Sequence, residues 1–183
     1  MSEKKTILFV IGSLRKNGFQ QQLSDAAREI IGDRAGVAVL DYADVPFVNQ
    51  DIEYPAPAPV ARIREQVEAA DALWIFTPEY NHGVPGVLKN AIDWLSRPVK
   101  PFDFETPSCL VGKPVALAGA AGGSGAKFVL DELAGLLGFL RADVLDERTG
   151  TNLDREAFTT GKLAVSDEAR AQLAAQADTL LAR

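Results

Sequence analysis

The sequence predicts an α/β fold of one domain, residues 1–183, in which helices cover both faces of a five-stranded parallel β-sheet. Three observations predict this class. Five short apolar segments alternate with segments whose apolar residues recur at helical spacing. The first of them, Thr6 to Ile11, is apolar after its first residue, as in a strand buried on both faces. Polar turns with glycine follow the first and third segments, at the strand ends where open α/β sheets bind ligands.

The first half of the chain supplies three strands, each followed by a helix. The strands are predicted at Thr6 to Ile11, Val37 to Leu40 and Ala72 to Phe76. The helices follow from apolar stripes at a period near 3.6 residues. The first stripe is Leu23, Ala26, Ala27, Ile30 and Ile31; the second is Val60, Ile63 and Val67; the third is Val84, Val87, Leu88, Ala91, Ile92 and Leu95. Pro85 falls near the start of the third helix, where proline is tolerated.

The second half supplies two strands and two helices. A strand from Val115 to Ala118 precedes a helix from Phe128 to Phe139, and a weaker strand follows at Ala142 to Leu145. Ser166 is an N-cap candidate for the last helix, which has acidic residues in its first turn. Two long connections, residues 41–59 and 97–108, interrupt the alternation. Long connections in compact domains are often functional, and the alternative is a solvated loop.

Composition excludes several classes of function. The net charge of −6 opposes binding to nucleic acid or to an anionic membrane, because both need a basic face. The single cysteine, Cys109, cannot form an intrachain disulfide, which suits a reducing cytosol. The apolar run from Ile7 to Ile11 is too short for a signal-peptide core or a membrane span. The sequence therefore predicts a cytoplasmic protein with neither a nucleic-acid nor a membrane partner.

The turn after the first strand, Gly12 to Phe19, has the groups that hold a phosphate. Ser13 offers a hydroxyl, Arg15 offers a planar guanidinium, and Gly18 allows a tight turn before the next helix N-terminus. The alternative is that this arginine belongs to a solvated loop. The sequence has no G-x-x-x-x-G-K-[ST] motif, which opposes a P-loop NTPase. The first strand also lacks the acidic residues that end it in response-regulator receivers.

The turn after the third strand, Thr77 to Asn81, combines a planar ring with an amide and opens into an amphipathic helix. Such a turn suits a flat heteroaromatic ligand, because a planar ring needs flat contacts and hydrogen bonds along its polar edge. The glycine-rich segment Gly119 to Gly125 follows the fourth strand and offers a second wall. Within it, Ala120 and Ala121 leave only backbone donors. The alternative is that both segments are ordinary loops.

Two motifs together resemble a known family. Gly12-Ser13-Leu14-Arg15 and Thr77-Pro78-Glu79-Tyr80-Asn81, the second followed by Lys89 to Trp94, resemble the signature of the NAD(P)H-dependent FMN reductases. This family includes quinone, azo-dye and chromate reductases. The resemblance implies a flavodoxin-like three-layer sandwich with strand order 2-1-3-4-5. It also implies an enzyme that takes hydride from NADPH or NADH and passes it, in ping-pong order through flavin N5, to quinones, azo compounds, flavin or metal oxyanions.

The resemblance assigns residues to an FMN site. They are Ser13, Arg15, Phe19, Gln20 and Gln21 at the phosphate; Pro78, Glu79, Tyr80 and Asn81 at the ring; and Gly119, Gly122 and Gly123 on the second wall. The family usually has a serine and an asparagine where this chain has Gly18 and Gln20. One hydroxyl contact to the phosphate is therefore missing, and looser FMN binding is expected unless backbone N–H groups or a glutamine replace it. No catalytic side chain or metal is expected, because hydride transfer to a flavin needs no protein acid or base.

Several alternatives stay open at this point. A flavodoxin-like electron carrier without nicotinamide activity shares the fold, and a flavin-free interaction module accounts for Gly18 and Gln20. The resemblance implies a homodimer or homotetramer, and NADH and NADPH are both possible donors. FMN is either resident or an exchanging substrate. His82 is either a surface residue or a proton donor to the acceptor, while Phe102 and Phe104 either cover the ring or anchor their loop.

Overall fold

The computed structural model describes residues 4–103 and 105–183. Its strands are β1 Thr6–Ile11, β2 Gly36–Val39, β3 Ala72–Pro78, β4 Pro114–Ala121 and β5 Asp143–Asn152. These strands form one sheet in the order β2-β1-β3-β4-β5, and every neighbouring pair is parallel. This is the flavodoxin-like strand order, with its switch point between β1 and β3, so the expected fold class is confirmed.

Helices cover both faces of the sheet. They are α1 Phe19–Ile31, α2 Ala58–Ala69, α3 Gly86–Leu95, α4 Lys127–Phe139, α5 Arg155–Thr160 and α6 Asp167–Ala182. The predicted helices are all present, and the Ser166 hydroxyl caps α6 by accepting from the Ala169 N–H. The short helix α5 was not predicted, because its polar sequence has no apolar stripe. Within the described residues, no helix is long and apolar enough to cross a membrane.

Alternate residues of the strands pack into two separate cores. On one face, Leu8, Leu73 and Leu117 pack under the apolar stripes of α2, α3 and α4. On the other face, an aromatic cluster of Phe9, Trp74 and Phe76 packs under α1 and α6. Burying each large apolar side chain contributes about 1.5–3 kcal/mol, so both helical layers are held firmly against the sheet. The strand ends and their turns therefore have a rigid base.

Strand β5 runs well beyond its predicted end at Leu145. It continues to Asn152 through a polar stretch that carries few apolar residues, because it is an edge strand with one covered face. A bulge shifts its register, since Val115 pairs with Val144 whereas Leu117 pairs with Arg148. The buried Gln176 of α6 satisfies this irregular stretch: its amide donates to Leu117 O at 2.9 Å and Glu147 O at 2.8 Å, and accepts from Thr149 Oγ1 at 2.9 Å.

The long connection between β2 and α2 is fastened to α3. The Asn90 amide donates to the Pro46 carbonyl at 2.9 Å and accepts from the Val48 N–H at 2.8 Å. The indole N–H of Trp94, a fully buried side chain, donates to the same Pro46 carbonyl at 2.7 Å. The polar residues of the α3 signature thus hold a neighbouring loop in place, and the connection is ordered by specific bonds rather than solvated throughout.

Candidate functional site

A cleft of about 190 Å³ opens at the carboxyl ends of β1, β3 and β4. It lies at the switch point of the sheet, where open α/β proteins bind ligands. The cleft is lined by the turn after β1, the turn after β3, the end of β4 and the segment after β5. The lining residues are Ser13, Arg15, Phe19, Gln20, Pro78, Glu79, Tyr80, Ala120, Ala121, Gly122, Leu153 and Phe158.

One end of the cleft is suited to an anion. Helix α1 begins beside it, and its N-cap Gly18 supplies no side-chain cap. The first intrahelical bond runs from Gln22 N to Gly18 O. The N–H groups of residues 19–21 therefore have no carbonyl acceptor within the helix. Ser13 Oγ accepts from the Arg15 N–H at 3.2 Å, which closes the turn. Arg15 is exposed, and none of the salt bridges among the described residues involves it. A guanidinium and free N–H groups therefore converge where a phosphate monoester would fit.

The turn after β3 lines the cleft next to the anion-binding turn. Tyr80 and Gly83 exchange two backbone bonds, of 3.3 and 3.0 Å, around Asn81 and His82. Both central residues are left-handed, with φ of 52° and 61°, as in the type I′ turn. The ring of Tyr80 is 54% exposed, and its hydroxyl lies 3.5 Å from Ser13 Oγ, too far for a strong hydrogen bond. The tyrosine ring is therefore free to pack on a ligand.

Glu79 joins this turn to helix α4. Its carboxylate accepts from Ser124 Oγ at 2.5 Å and from the Val129 N–H at 3.1 Å. Helix α4 otherwise begins without a side-chain cap, at a left-handed Ala126. Burial alone would raise the pKa of Glu79, but the bonds from Ser124 and Val129 outweigh it and lower the pKa below its usual value. Glu79 is therefore an anionic cap of α4, and its side chain fixes the backbone of the turn from behind.

The end of β4 gives the second wall of the cleft. Gly122 lines it, whereas Gly119 is enclosed within the strand. A Cβ at Gly119 would lie 2.7 Å from Ala126 Cβ and 2.9 Å from Thr77 O, so glycine is needed there for close packing of β3, β4 and α4. Gly119 therefore shapes the wall without lining it.

The remaining predicted positions divide between the cleft and its surroundings. Gln20 is buried, and its amide donates to the Ala120 carbonyl at 3.0 Å, so it ties α1 to the end of β4. Gln21 turns along α1 to Asp25 Oδ1 at 2.9 Å, away from the cleft. Asn81 and Gly123 are exposed and do not line the cleft. The structure thus brings together the lining positions Ser13, Arg15, Phe19, Gln20, Pro78, Glu79, Tyr80 and Gly122, but not Gln21, Asn81, Gly119 and Gly123.

Two lining residues, Leu153 and Phe158, were missed at the sequence level. They follow β5, which ends at the same edge of the sheet as the other site turns. The Phe158 ring meets the Phe19 ring edge-on, with centroids 6.0 Å apart and an interplanar angle of 87°. An aromatic residue in an otherwise polar segment, directly after the last strand, was the available signal.

Three other residues of chemical interest lie apart from the cleft lining. His82 is exposed, and its ring stacks on Phe128 at 4.2 Å. Cys109 is half-buried, its thiol donates to Leu95 O at 3.6 Å, and burial raises its pKa to about 11, so it stays protonated at neutral pH. Phe102 is 90% exposed, while Phe104 lies outside the described residues.

The sequence is similar to those of known reductases. A sequence model described as NADPH-dependent FMN reductase matches residues 6–151. An NAD(P)H-dependent FMN reductase of Pseudomonas aeruginosa is 39% identical over 125 residues, which is 67% of this chain and 63% of that protein. A quinone reductase of Escherichia coli K12 is 38% identical over 155 residues, or 80% of this chain and 77% of that protein. The aligned segment therefore spans less than two thirds of the Pseudomonas protein.

The structure is similar to that of a solved flavoenzyme. FerB of Paracoccus denitrificans, an NAD(P)H:(acceptor) oxidoreductase, has a TM-score of 0.82 and 28% sequence identity to this chain. The similarity covers 97% of this chain and 96% of FerB. The fold is therefore shared over nearly the whole of both chains.

Proposed function

Because this chain belongs to the NADPH-dependent FMN reductase family, we propose that it holds FMN in the described cleft and reduces quinones with NADPH or NADH. One observation carries the proposal. The cleft joins an anion-binding turn after β1 to an exposed tyrosine on the turn after β3. FMN has a phosphate at one end and a planar ring at the other. These two parts of the cleft match those two groups in chemistry.

The residues present fit this cofactor. Arg15, Ser13 and the uncapped start of α1 provide positive charge and donors for a phosphate dianion. Residues 78–80 line the cleft, and the bonds of Glu79 to Ser124 and Val129 hold this turn in place. Gly122 and the small Ala120 and Ala121 leave room for a flat ring on the other wall. These residues bind and orient the cofactor, and no side chain has to take up or release a proton on it.

When bound, FMN would supply the hydride-transfer chemistry, for which we propose a ping-pong order. The protein has to align two rings in turn within one open site, since a single cleft serves both reactants. The half-exposed Tyr80 ring and the small residues of the opposite wall form an open rim. Such a rim suits many planar acceptors, and we extend the proposal to azo compounds and free flavin, with metal oxyanions as non-planar acceptors.

Steady-state kinetics test the proposal. With FMN-loaded protein, NADPH or NADH oxidation should depend on added quinone and give parallel double-reciprocal lines. The same assay with an azo dye, free FMN and chromate ranks the acceptors. No turnover with either nicotinamide, despite tight FMN binding, would contradict the reductase proposal and support a flavodoxin-like electron carrier. Absence of FMN binding would favour a flavin-free module.

We further propose that the enzyme works in the cytoplasm as a homodimer or homotetramer. Apolar side chains are exposed on the connection after β2, where Phe47 is 79% and Ile52 is 41% exposed. This connection is bonded to α3 through Pro46 and Val48, which flank Phe47, so the Phe47 side chain is carried by an ordered segment. Light scattering should give a mass of two or four chains, and Phe47→Ser should reduce it. A monomer at micromolar concentration would refute the assembly.

A further inference from the structure

We infer that Phe158 is a positioning residue that holds the Arg15 guanidinium at the phosphate end of the cleft, acting through the ring of Phe19. The inference rests on the proposed function, because it concerns how the protein binds the FMN phosphate. It assigns a role to α5, an element that carries none of the motif residues.

The three side chains form one continuous chain of contacts. Arg15 Cζ lies 5.6 Å from the centroid of the Phe19 ring, within the distance at which a cation is attracted to a ring face. Phe158 meets the Phe19 ring in the T-shaped arrangement that aromatic pairs prefer, with centroids 6.0 Å apart. All three side chains line the same cleft. Phe158 therefore contacts the ring on which the guanidinium rests.

The position of Phe158 is not explained by burial. Its side chain is 62% exposed, although it lies beside the apolar core under α1 and α6. Exposed phenylalanine on a short helix loses most of the benefit of apolar burial. Its ordered contact is with Phe19, so the observed contact points to the neighbouring arginine rather than to the core.

Helix α5, which carries Phe158, is bonded to α1, which carries Phe19. The Gln22 side chain donates to the Gly161 carbonyl at 2.8 Å and accepts from the Leu163 N–H at 2.8 Å. At the other end, the Asp154 carboxylate caps α5 by accepting from the Ala157 N–H at 2.8 Å. Phe158 is thus presented by a helix bonded at both ends.

The arginine at the phosphate end benefits from such support. Arg15 is exposed, and its long side chain would lose rotamer freedom on binding. Gly18 has no hydroxyl that could donate a hydrogen bond to the phosphate, so phosphate binding depends more heavily on the Arg15 guanidinium. Because the Arg15 side chain is already held over Phe19, less of its conformational freedom is lost when FMN binds.

Titrations with FMN and riboflavin test the inference, because riboflavin lacks the phosphate. Phe158→Leu keeps an apolar side chain of similar size but removes the ring. It should weaken FMN binding roughly three- to tenfold, the range expected for loss of a cation–π and aromatic contact, and leave riboflavin binding unchanged. Phe158→Tyr should restore FMN binding. Phe139→Leu, at the far end of α4 on an 84% exposed phenylalanine, is the matched control and should change neither affinity.

A double-mutant cycle identifies the partner. In an Arg15→Gln background, Phe158→Leu should have no further effect on FMN affinity. An undiminished effect there, or equal losses for FMN and riboflavin, would overturn the inference. If the wild type binds both flavins and Phe158→Leu is indistinguishable from it, the inference fails while the proposed function stands. If the wild type binds neither flavin, the proposed function fails and the inference fails with it.

Discussion

Replacing Glu79 by alanine removes the carboxylate that joins the turn after β3 to the start of α4. Two bonds are lost, from Ser124 Oγ at 2.5 Å and from the Val129 N–H at 3.1 Å. A helix cap contributes about 1 kcal/mol and a bond to a charged group about 1.5–3 kcal/mol, less where solvent reaches the group. Ser124 keeps its bond from the Ala126 N–H. We therefore expect a loss of about 2 kcal/mol in the free energy of unfolding, or about 4–8 °C in Tm.

The contribution of Glu79 to stability also has a defined pH dependence. Its pKa lies below the ordinary value of 4.5 in the folded protein, because the bonds from Ser124 and Val129 outweigh the effect of burial. A group with a lowered folded-state pKa stabilises the protein above its unfolded-state pKa, and this contribution is lost as pH falls through the folded-state value. The wild type should therefore be more stable than Glu79→Gln at pH 7, and the difference should shrink below about pH 4.5.

Urea unfolding followed by circular dichroism measures both effects. Glu65→Ala, on the exposed face of α2, is the matched control and should leave the free energy of unfolding within about 0.5 kcal/mol. Because Glu79 supports the ring end of the cleft, Glu79→Ala should weaken FMN and riboflavin binding by the same factor. The reasoning is refuted if Glu79→Ala unfolds like the control at pH 7, or if the wild-type advantage over Glu79→Gln grows as pH falls.

Three further predictions concern polar contacts that hold the fold together. Asn90→Ala removes the bonds to Pro46 and Val48, so it should cost about 1–3 kcal/mol and speed proteolysis of the connection before α2. Arg97→Met leaves the buried Glu53 carboxylate without its bidentate partner, so it should lower the free energy of unfolding by about 2–3 kcal/mol at pH 7. Because Arg97 lowers the pKa of Glu53, this loss, measured by urea unfolding, should become smaller as the pH falls. Gln176→Leu leaves the carbonyls of Leu117 and Glu147, beside the β4–β5 bulge, without their side-chain donor. Thermal unfolding should show a fall in Tm that corresponds to about 3 kcal/mol.

Local patterns in the sequence predicted most of the fold. The predicted bounds of strand β1 agree with the observed ones at both ends, because its apolar run has a sharp boundary at Gly12. Strand β5 was predicted too short because only its start is apolar, and the bulge that continues it depends on Gln176 from a distant helix. Helix α5 is too short and polar for periodicity to reveal, although its cap Asp154 behaves as capping rules expect.

The site was predictable where a motif sits on a strand end, and less so where contacts come from far along the chain. Arg15 and Tyr80 line the cleft because each follows a strand that ends at the same edge. Neighbouring glutamines at the start of α1 could not be separated by sequence, since one helical step turns Gln20 into the core and Gln21 towards Asp25. The packing role of Gly119 depends on how closely α4 approaches the sheet, which no local pattern encodes.

Anaerobic reduction of the FMN-loaded protein tests the central claim most directly. NADPH or NADH should bleach the visible absorbance band of the bound flavin, and a quinone added afterwards should restore it without further nicotinamide. The FMN should stay in the described cleft throughout, so Arg15→Gln should demand a higher FMN concentration for the same signal, because it removes the guanidinium from the phosphate end. A flavin band that neither nicotinamide bleaches, or a reduced band that no quinone restores, would contradict the account.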